Sequence, residues 1–327
     1  MSSRPPTDPD RLATGPAGPL LALAAFGLYA SHDVLIRILG ETYSVFQIVF
    51  FMGLLSFPLV IVLMIRDPLP GTLKPVHPWW TLARTLAAVT SASSAFYAFT
   101  VMPLAQVYSV LFATPLLVTV LAIPLLGEKV GLHRGLAVCF GLIGVIIVLR
   151  PGAADLSLGH VAALFAALLS ALNSVIVRKI SRAERSAVLM LYPMLANVMV
   201  MGALLPAVWV PLQLKDLGIL VVIAMLGFAA MLLTIAAFRR AEAALVAPMQ
   251  YSQILWAVFY GALLFDESPD GWTIVGVSVI IASGLYIVFR ESRRNVSAHQ
   301  PVLNAPTRPG TTQAPQNNGG PAPTPGP

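Results

Sequence analysis

Two stretches of this chain decide its fold: LLGEKVGLHRG at residues 125–135 and LFDESPDGWTIVG at residues 264–276. Each ends a long apolar run with a glutamate, Glu128 or Glu267, and each leads into a second apolar run that is rich in glycine. The first glutamate has basic neighbours, whereas the second has acidic ones. Because basic residues of membrane proteins concentrate in the cytoplasm, the two turns are expected on opposite sides of a membrane.

The composition around these turns is that of an integral membrane protein. Of the 327 residues, 57% are hydrophobic and 10% are charged, whereas soluble domains average about a quarter charged residues. The net charge of +6 does not indicate nucleic-acid binding, because the basic residues lie between apolar runs, where they report orientation. The polar segments 1–17 and 295–327 are rich in Pro, Gly, Asn and Gln and are expected to be disordered cytoplasmic tails.

Ten apolar runs are long enough to cross the hydrocarbon as helices. With the N-terminus in the cytoplasm, all but three of the 20 lysines and arginines fall on the cytoplasmic side; the exceptions are Arg37, Arg150 and Lys215. The positive-inside rule therefore predicts a multi-pass protein of the cell inner membrane with both termini cytoplasmic. The runs lie near residues 18–39, 43–65, 79–100, 103–126, 134–150, 158–179, 187–210, 217–238, 243–265 and 271–290.

A nearly constant offset relates the first half of the chain to the second. The matched pairs are Glu128 with Glu267 at 139, Gly144 with Gly284 and Arg150 with Arg290 at 140, and His32 with Asn173 and Arg37 with Arg178 at 141. Each half, 18–150 or 158–290, holds five spans, and an odd number forces the second half to enter the membrane upside down. The predicted fold is an all-α integral membrane protein whose ten transmembrane helices form two inverted five-helix repeats, a pattern typical of alternating-access transporters.

Longer segments add a family resemblance. In the first half these are LART at residues 82–85, MPLAQVYSVLFATPLL at 102–117, LGE at 126–128 and RPG at 150–152; in the second half AEAALVAPMQYSQILW at 241–256 is the counterpart. The chain resembles the EamA-type domains of the drug/metabolite transporter superfamily, here at 18–150 and 158–290. The resemblance implies a ten-span transporter with both ends cytoplasmic. Many members carry an arginine early in the second span, where this chain has Gln47.

Four ionisable side chains inside the predicted spans, His32, Asp33, Arg37 and Arg84, are candidates for coupling or charge pairing, because charges in hydrocarbon are costly. Asp33 and Arg37 share one helix face and either neutralise each other or leave Asp33 to couple a proton or contact substrate. His32 is either a hydrogen-bonded packing residue or a proton carrier. Arg84 either snorkels to the cytoplasmic surface or holds an anionic substrate group or a partner carboxylate.

Aromatic and amide side chains on four spans are the candidates for binding substrate. Tyr108 and Phe112 lie in a stripe with Pro115, which is either core packing or a wall for a planar ligand. Gln250 and Gln253 need hydrogen-bond partners in lipid, either across a cavity or from a neighbouring helix. The full set of candidates is Tyr97, Tyr108, Phe112, Asn173, Gln250, Gln253 and Trp256.

The sequence contains no motif for covalent, metal or nucleotide chemistry, such as HExxH, GxSxG or a Walker loop. We therefore expect no catalytic residue, metal or cofactor. Expected partners are a small-molecule substrate, the lipid bilayer and a coupling proton, with no nucleic acid, and the chain acts as a monomer or a homodimer. An intramembrane enzyme on lipid-linked substrates stays a distant alternative, for which the acidic turn FDESPDG (265–271) is the one cluster; a solvated loop is the simpler interpretation of that turn. A membrane scaffold that transports nothing is the third alternative.

The expected function is secondary transport of a small metabolite. The aromatic residues of the third, fourth and ninth spans and the small number of buried cations favour a planar, largely neutral metabolite such as riboflavin. An exporter or importer of amino acids or S-adenosylmethionine is the alternative.

Overall fold

The structure, a computed structural model, describes residues 17–66, 73–128, 130–150, 157–181, 183–241 and 246–294. The tails expected at 1–17 and 295–327 lie outside these residues, apart from Ala17, which begins the first helix. The described part of the first half forms α1 (Ala17–Gly40), α2 (Val45–Arg66), α3 (Pro78–Val101), α4 (Leu104–Leu111), α5 (Thr114–Leu126) and α6 (Leu132–Leu149).

The second half repeats this order. It forms α7 (Leu158–Ile180), α8 (Ser186–Val208), α9 (Leu214–Arg240), a 3-10 helix (Ala247–Tyr251) followed at once by α10 (Ser252–Leu264), and α11 (Gly271–Arg294). The all-helical architecture predicted from the apolar runs is confirmed, with α4 and α5 making up the fourth span and the 3-10 helix and α10 making up the ninth. Five of the described segments are long and apolar enough to cross a membrane by length and composition alone.

The helix contacts follow a pseudo-twofold axis. α1 lies along α9, and α3 lies along α7; exchanging the two halves converts the first contact into the second. Equivalent helices also touch one another, because α2 packs against α8, α4 against α10 and α6 against α11. The described helices are therefore arranged as two repeats of five spans around a shared axis.

Polar contacts at the loops obey the same symmetry. The Tyr43 hydroxyl donates to Oδ2 of Asp216 across 2.7 Å, and the backbone N–H of His77 donates to Oε1 of Glu184 across 2.5 Å. Tyr43 and Glu184 are repeat mates, as are His77 and Asp216. The hydrogen bond to the Asp216 carboxylate raises the pKa of Tyr43, since it stabilises the protonated phenol. Each contact fixes the loop after the first span of one half to the start of the third span of the other half.

The two helices that end the repeats approach backbone to backbone. A methyl group built on Gly144 of α6 would lie 2.8 Å from the Gly276 carbonyl of α11, and one on Gly276 would lie 2.7 Å from the Gly144 carbonyl. The Ser283 hydroxyl donates to the Ala137 carbonyl across the same interface. Small residues allow this close packing, as is common between membrane helices.

Two spans are broken near the middle, at equivalent positions. The fourth span leaves the α-helix at Phe112 and Ala113 and resumes at Thr114. The ninth span runs as a 3-10 helix to Tyr251, and the α-helix starts at Ser252. The apolar run at 103–126 predicts one span, and the structure keeps Leu104–Leu126 as one span with an interruption of two residues. Pro115 lacks the N–H that would bond the Leu111 carbonyl, so it ends the regular ladder there.

Candidate functional site

The broken spans meet in a column of buried aromatic rings. The centroids of Phe112 and Tyr251, which are repeat mates at offset 139, lie 5.1 Å apart with the rings edge to face. Tyr108 lies 6.1 Å from Phe112 and 5.2 Å from Phe99. Because Phe112 and Tyr251 occupy equivalent positions and touch, their contact lies close to the pseudo-twofold axis. The structure thus brings the predicted residues Tyr108 and Phe112 to the centre of the molecule.

A buried carboxylate lies beside this column. Asp33 has no exposed surface; its Oδ2 accepts a hydrogen bond from the Tyr108 hydroxyl, and its Oδ1 lies 2.9 Å from Nδ1 of His32. Gly227 of α9 leaves room for the imidazole, because a methyl group there would lie 3.3 Å from the His32 ring. A carboxylate, an imidazole and a phenol in direct contact can accept or release a proton without a large movement.

The ninth span supplies amides to the same centre. Gln253 is 2% exposed, and its side chain lies against the Tyr108 hydroxyl. Gln250 is also buried and lies against the Tyr251 hydroxyl. Tyr251 is a site residue that the candidate set omits, although its offset of 139 from Phe112 is a signal that would find it.

The ion pair expected between Asp33 and Arg37 is replaced by another. Nη1 of Arg37 donates to Oε2 of Glu267 across 2.8 Å, Nη2 donates to the other carboxylate oxygen, and the guanidinium lies 4.1 Å from the Phe265 ring centroid. This two-pronged geometry is the one in which arginine binds carboxylates most strongly. It places Arg37 at the end of α1, away from Asp33, and ties that end to the turn before α11.

The repeat mates of this pair form a second one. Arg178, at the end of α7, donates to Oε1 of Glu128, in the turn between α5 and α6. The following residue, Lys179, donates to the Leu125 carbonyl at 3.0 Å and lies 4.4 Å from the Trp80 ring centroid. Both glutamates of the opening stretches are therefore engaged by arginines of the opposite half. The acidic turn at 265–271 is likewise not simply solvated.

Asp270 in that turn pairs with Arg150 at the end of α6. Hydrogen bonding from Thr273, reinforced by the Arg150 guanidinium, lowers the pKa of Asp270. Both side chains are partly exposed, so the pair is worth little in stability. No group of three or more His, Cys, Asp or Glu side chains suited to a metal ion is found among the described residues.

Arg84 is buried deep in the helix bundle. It is 1% exposed, which contradicts the interpretation that it snorkels to the surface. Its Nε and Nη1 have no hydrogen-bond partner among the described residues, and neither does Oδ1 of Asn173. Asn173 is 5% exposed.

Two further candidates lie outside the central column. Trp256 stacks on Tyr260 at 6.3 Å and contacts α1, where a methyl group built on Gly27 would lie 3.3 Å from the indole. Tyr97 is half-buried and packs at the margin of the main core. Gln47 donates to the Val210 carbonyl at 2.7 Å and accepts from the Val210 N–H at 3.0 Å.

The EamA-like transporter family matches residues 16–150 and again residues 157–290. The chain belongs to the EamA-like transporter family. The resemblance to the drug/metabolite transporter superfamily is confirmed, and the chain is a multi-pass membrane transporter.

Among curated relatives, the S-adenosylmethionine uptake transporter of Rickettsia prowazekii is 25% identical, over 82% of this chain and 91% of the relative. The riboflavin transporter of Vibrio cholerae is 28% identical, over 66% and 73%. The pseudopaline exporter of Pseudomonas aeruginosa is 24% identical, over 82% and 94%. A solved crystal structure superposes with a TM-score of 0.58 at 18% identity, covering 86% of this chain and 99% of that one, which supports the fold.

Proposed function

We propose that this EamA-family transporter moves a small organic metabolite across the inner membrane as a secondary transporter, by alternating access around its central aromatic column. The observation that carries the proposal is the contact between two broken spans at Phe112 and Tyr251. Interrupted helices that meet at the interface of inverted repeats are where transporters of this general design bind their substrates. The distribution of lysine and arginine supports an orientation with both termini in the cytoplasm.

The ion pairs at the two ends of the molecule support alternation. Arg37–Glu267 and Arg178–Glu128 are equivalent by the pseudo-twofold symmetry, and in the proposed orientation they lie at the outer and inner faces. Each joins the end of a repeat's first span to the turn between the last two spans of the other repeat. Breaking one pair at a time would open the central column to one side only.

The cluster of Asp33, His32 and Tyr108 is the proposed coupling site. It is buried, it contains the one carboxylate predicted inside the first span, and it directly contacts the aromatic column through Tyr108. A proton taken up by this cluster would change the hydrogen bond that orients Tyr108, and so the wall of the substrate site. Proton coupling therefore follows from the same residues that shape the site.

The aromatic column supports a substrate with a planar ring. Riboflavin fits this description, and a riboflavin transporter is among the relatives. The expectation of a largely neutral molecule rested on the small number of buried cations, and the buried Arg84 now favours a substrate that also carries a negative group. S-adenosylmethionine, which has both an adenine ring and a carboxylate, meets both conditions and is the preferred candidate.

Uptake and efflux in proteoliposomes test the proposal. The purified protein is reconstituted and offered S-adenosylmethionine, riboflavin and the amino acids, with and without a proton gradient. Gln253→Ala is expected to abolish most transport, whereas Leu255→Ala, on the lipid-facing side of the same helix with 72% exposure, is expected to leave it unchanged. Transport that is absent for every compound, or equally impaired by both variants, would contradict the proposal.

A further inference from the structure

We propose that Arg84, together with Ser170 and Asn173, forms the subsite that binds the carboxylate of the transported metabolite. The inference rests on the proposed transport function, because a ligand must reach a group buried inside the bundle. It assigns a role to a charge that nothing else in the described structure neutralises.

Three contacts fix how α3 and α7 face each other. Met102 of the loop after α3 lies against Gly159, where a methyl group would come within 2.6 Å of its Cγ. The Ser91 hydroxyl donates to the Ala166 carbonyl at 2.8 Å, and the Lys179 ammonium lies over the Trp80 ring, 4.4 Å from its centroid. The helices are therefore antiparallel, and their contact runs from 102 opposite 159 to 80 opposite 179.

Arg84 lies on the face of α3 that meets α7. It is seven residues from Ser91 and four from Trp80, and both spacings return a helical residue to the same face. Interpolation between the Ser91–Ala166 and Trp80–Lys179 contacts places Arg84 level with Asn173. Asn173 lies seven residues beyond Ala166, on the matching face of α7. Ser170, four residues beyond Ala166, shares that face.

These facing groups are all polar, buried and unsatisfied. Ser170 is 1% exposed, and its hydroxyl has no hydrogen-bond partner among the described residues; the same holds for Nε and Nη1 of Arg84 and for Oδ1 of Asn173. An isolated charge in hydrocarbon is strongly unfavourable. A group of donors and acceptors left open together at one depth can hydrogen-bond to a polar ligand.

The fold itself does not require a charge at this position. The offset of 139 that relates His77 to Asp216, at the starts of α3 and α9, relates Arg84 to Ile223. Ile223 is fully buried, so the second repeat fills the equivalent place with an aliphatic side chain. Arg84 is therefore a departure from the repeat, and its benefit lies outside packing.

The chemistry of the subsite favours a carboxylate over a phosphate. A guanidinium offers parallel N–H donors that match the two oxygens of a carboxylate, and one positive charge neutralises one negative charge. A phosphate monoester carries about two negative charges at neutral pH, so it would leave net charge in a low-dielectric site. The Ser170 hydroxyl and the Asn173 amide supply neutral hydrogen bonds to the remaining lone pairs.

Thermal unfolding of the purified full-length protein in detergent tests this subsite directly. The probes are S-adenosylmethionine paired with its decarboxylated form, and each amino acid paired with its amide. We expect at least one acid to raise the unfolding temperature of the wild-type protein while its carboxylate-free partner does not. Arg84→Gln removes the shift, Arg84→Lys retains part of it, and Lys215→Gln, at an exposed position in the first turn of α9, keeps it in full.

The ligand-free variants exclude a purely structural role. Removing an unpaired buried charge relieves desolvation, so Arg84→Gln without ligand is expected to unfold at the wild-type temperature or higher. A lower unfolding temperature, equal stabilisation by acid and carboxylate-free partner, or no stabilisation by any acid would each overturn the subsite.

Transport assays separate this inference from the proposed function. Proteoliposomes that transport S-adenosylmethionine or an amino acid equally well with wild-type protein and with Arg84→Gln would uphold the transporter and overturn the carboxylate subsite. Proteoliposomes that transport nothing, from a protein whose Arg84 still mediates selective stabilisation by acids, would uphold the subsite and overturn transport.

Discussion

Tyr108 belongs both to the buried cluster around Asp33 and to the column of aromatic rings. Its hydroxyl donates to the buried Asp33, and its ring packs between Phe99 and Phe112. Tyr108→Phe keeps the ring and removes the donor, so we expect the free energy of unfolding to fall by about 1.5–3 kcal/mol, the range for a hydrogen bond to a charged group. Proton-coupled transport is expected to fall as well. Denaturant unfolding and uptake in proteoliposomes measure the two effects.

The matched control is Tyr192→Phe. The Tyr192 hydroxyl makes a longer bond, 3.3 Å to the Leu73 carbonyl, and lies at the surface. Its loss is expected to change stability by less than about 0.5 kcal/mol. Equal losses in the two variants would show that Tyr108 has no special connection to Asp33.

At the scale of single residues, the cost of burying charge made part of the site predictable. Asp33, Arg37 and Arg84 are singled out by sequence because a charge inside an apolar run demands an explanation. Their partners were not predictable, since Glu267 lies 230 residues from Arg37. Local spacing pointed instead to the i,i+4 pair with Asp33, and the contact made by the tertiary fold prevailed.

At the scale of helices, the break in the fourth span defines the shape of the site. Pro115→Ala restores the N–H that the Leu111 carbonyl lacks, so α4 and α5 are expected to join into one helix and shift Phe112 against Tyr251. A misplaced binding wall is expected to lower transport by roughly tenfold or more, with thermal stability unchanged or higher. Initial rates in proteoliposomes and thermal unfolding measure these effects.

Pro124→Ala provides the comparison within the same span. Pro124 lies inside α5 on an exposed face, remote from the aromatic column. Its replacement removes a helix-interior proline without touching the break, so transport is expected to stay at the wild-type rate. If Pro124→Ala impairs transport as much as Pro115→Ala, the break is not what shapes the site.

The close pairing of α6 and α11 gives a second test among helices. Gly144→Ala places a methyl group 2.8 Å from both the Gly276 carbonyl and Cγ1 of Ile280. This overpacking is expected to lower the free energy of unfolding by about 1–3 kcal/mol. Gly135→Ala, in the same helix with no atom within 4 Å of the added methyl, is expected to raise it by up to about 1 kcal/mol through helix propensity. Denaturant unfolding measures whether each variant gains or loses stability. If both variants lose stability, the close approach of α6 and α11 at Gly144 is refuted.

The helices themselves were predictable and their interruptions were not. A run of about 20 apolar residues specifies a spanning helix almost by length alone. Proline does not specify a break, because membrane helices often accommodate it; α2 continues through Pro58 and α8 through Pro193 and Pro206. What distinguishes Pro115 is its place beside the pseudo-twofold axis, and that is a property of the assembled repeats.

At the scale of the whole molecule, the repeat could be predicted from the sequence because equivalent residues of the two halves make equivalent contacts. Arg37 and Arg178 are equivalent, and so are their partners Glu267 and Glu128. In the proposed orientation the two turns face opposite sides of the membrane, which accounts for their different charges, while each glutamate binds an arginine of the other repeat. The equivalent ion pairs explain why residues 125–135 and 264–276 share a glutamate. Their proposed positions on opposite sides of the membrane explain why the neighbouring charges differ.

This symmetry makes the two ion pairs a test of alternating access. Glu267→Gln is expected to loosen the end of α1 and the turn at 265–270, while Glu128→Gln loosens the end of α7 and the turn at 127–131. The inner pair is the more buried of the two, with 8% and 12% of its side chains exposed, so its loss is expected to have the larger effect. Hydrogen exchange followed by mass spectrometry on the protein in nanodiscs measures protection at both ends.

The control is Asp270→Asn, which breaks the pair with Arg150. That pair joins α6 to α11, helices that pack along each other, so its loss is expected to leave protection at both ends of α1 and α7 unchanged. Alternating access requires the two glutamate variants to loosen opposite ends, because each pair closes one face. If both variants loosen the same end, or if Asp270→Asn has an effect as large as either, the pairs hold the bundle together as a static structure and the exchange of access must be controlled elsewhere.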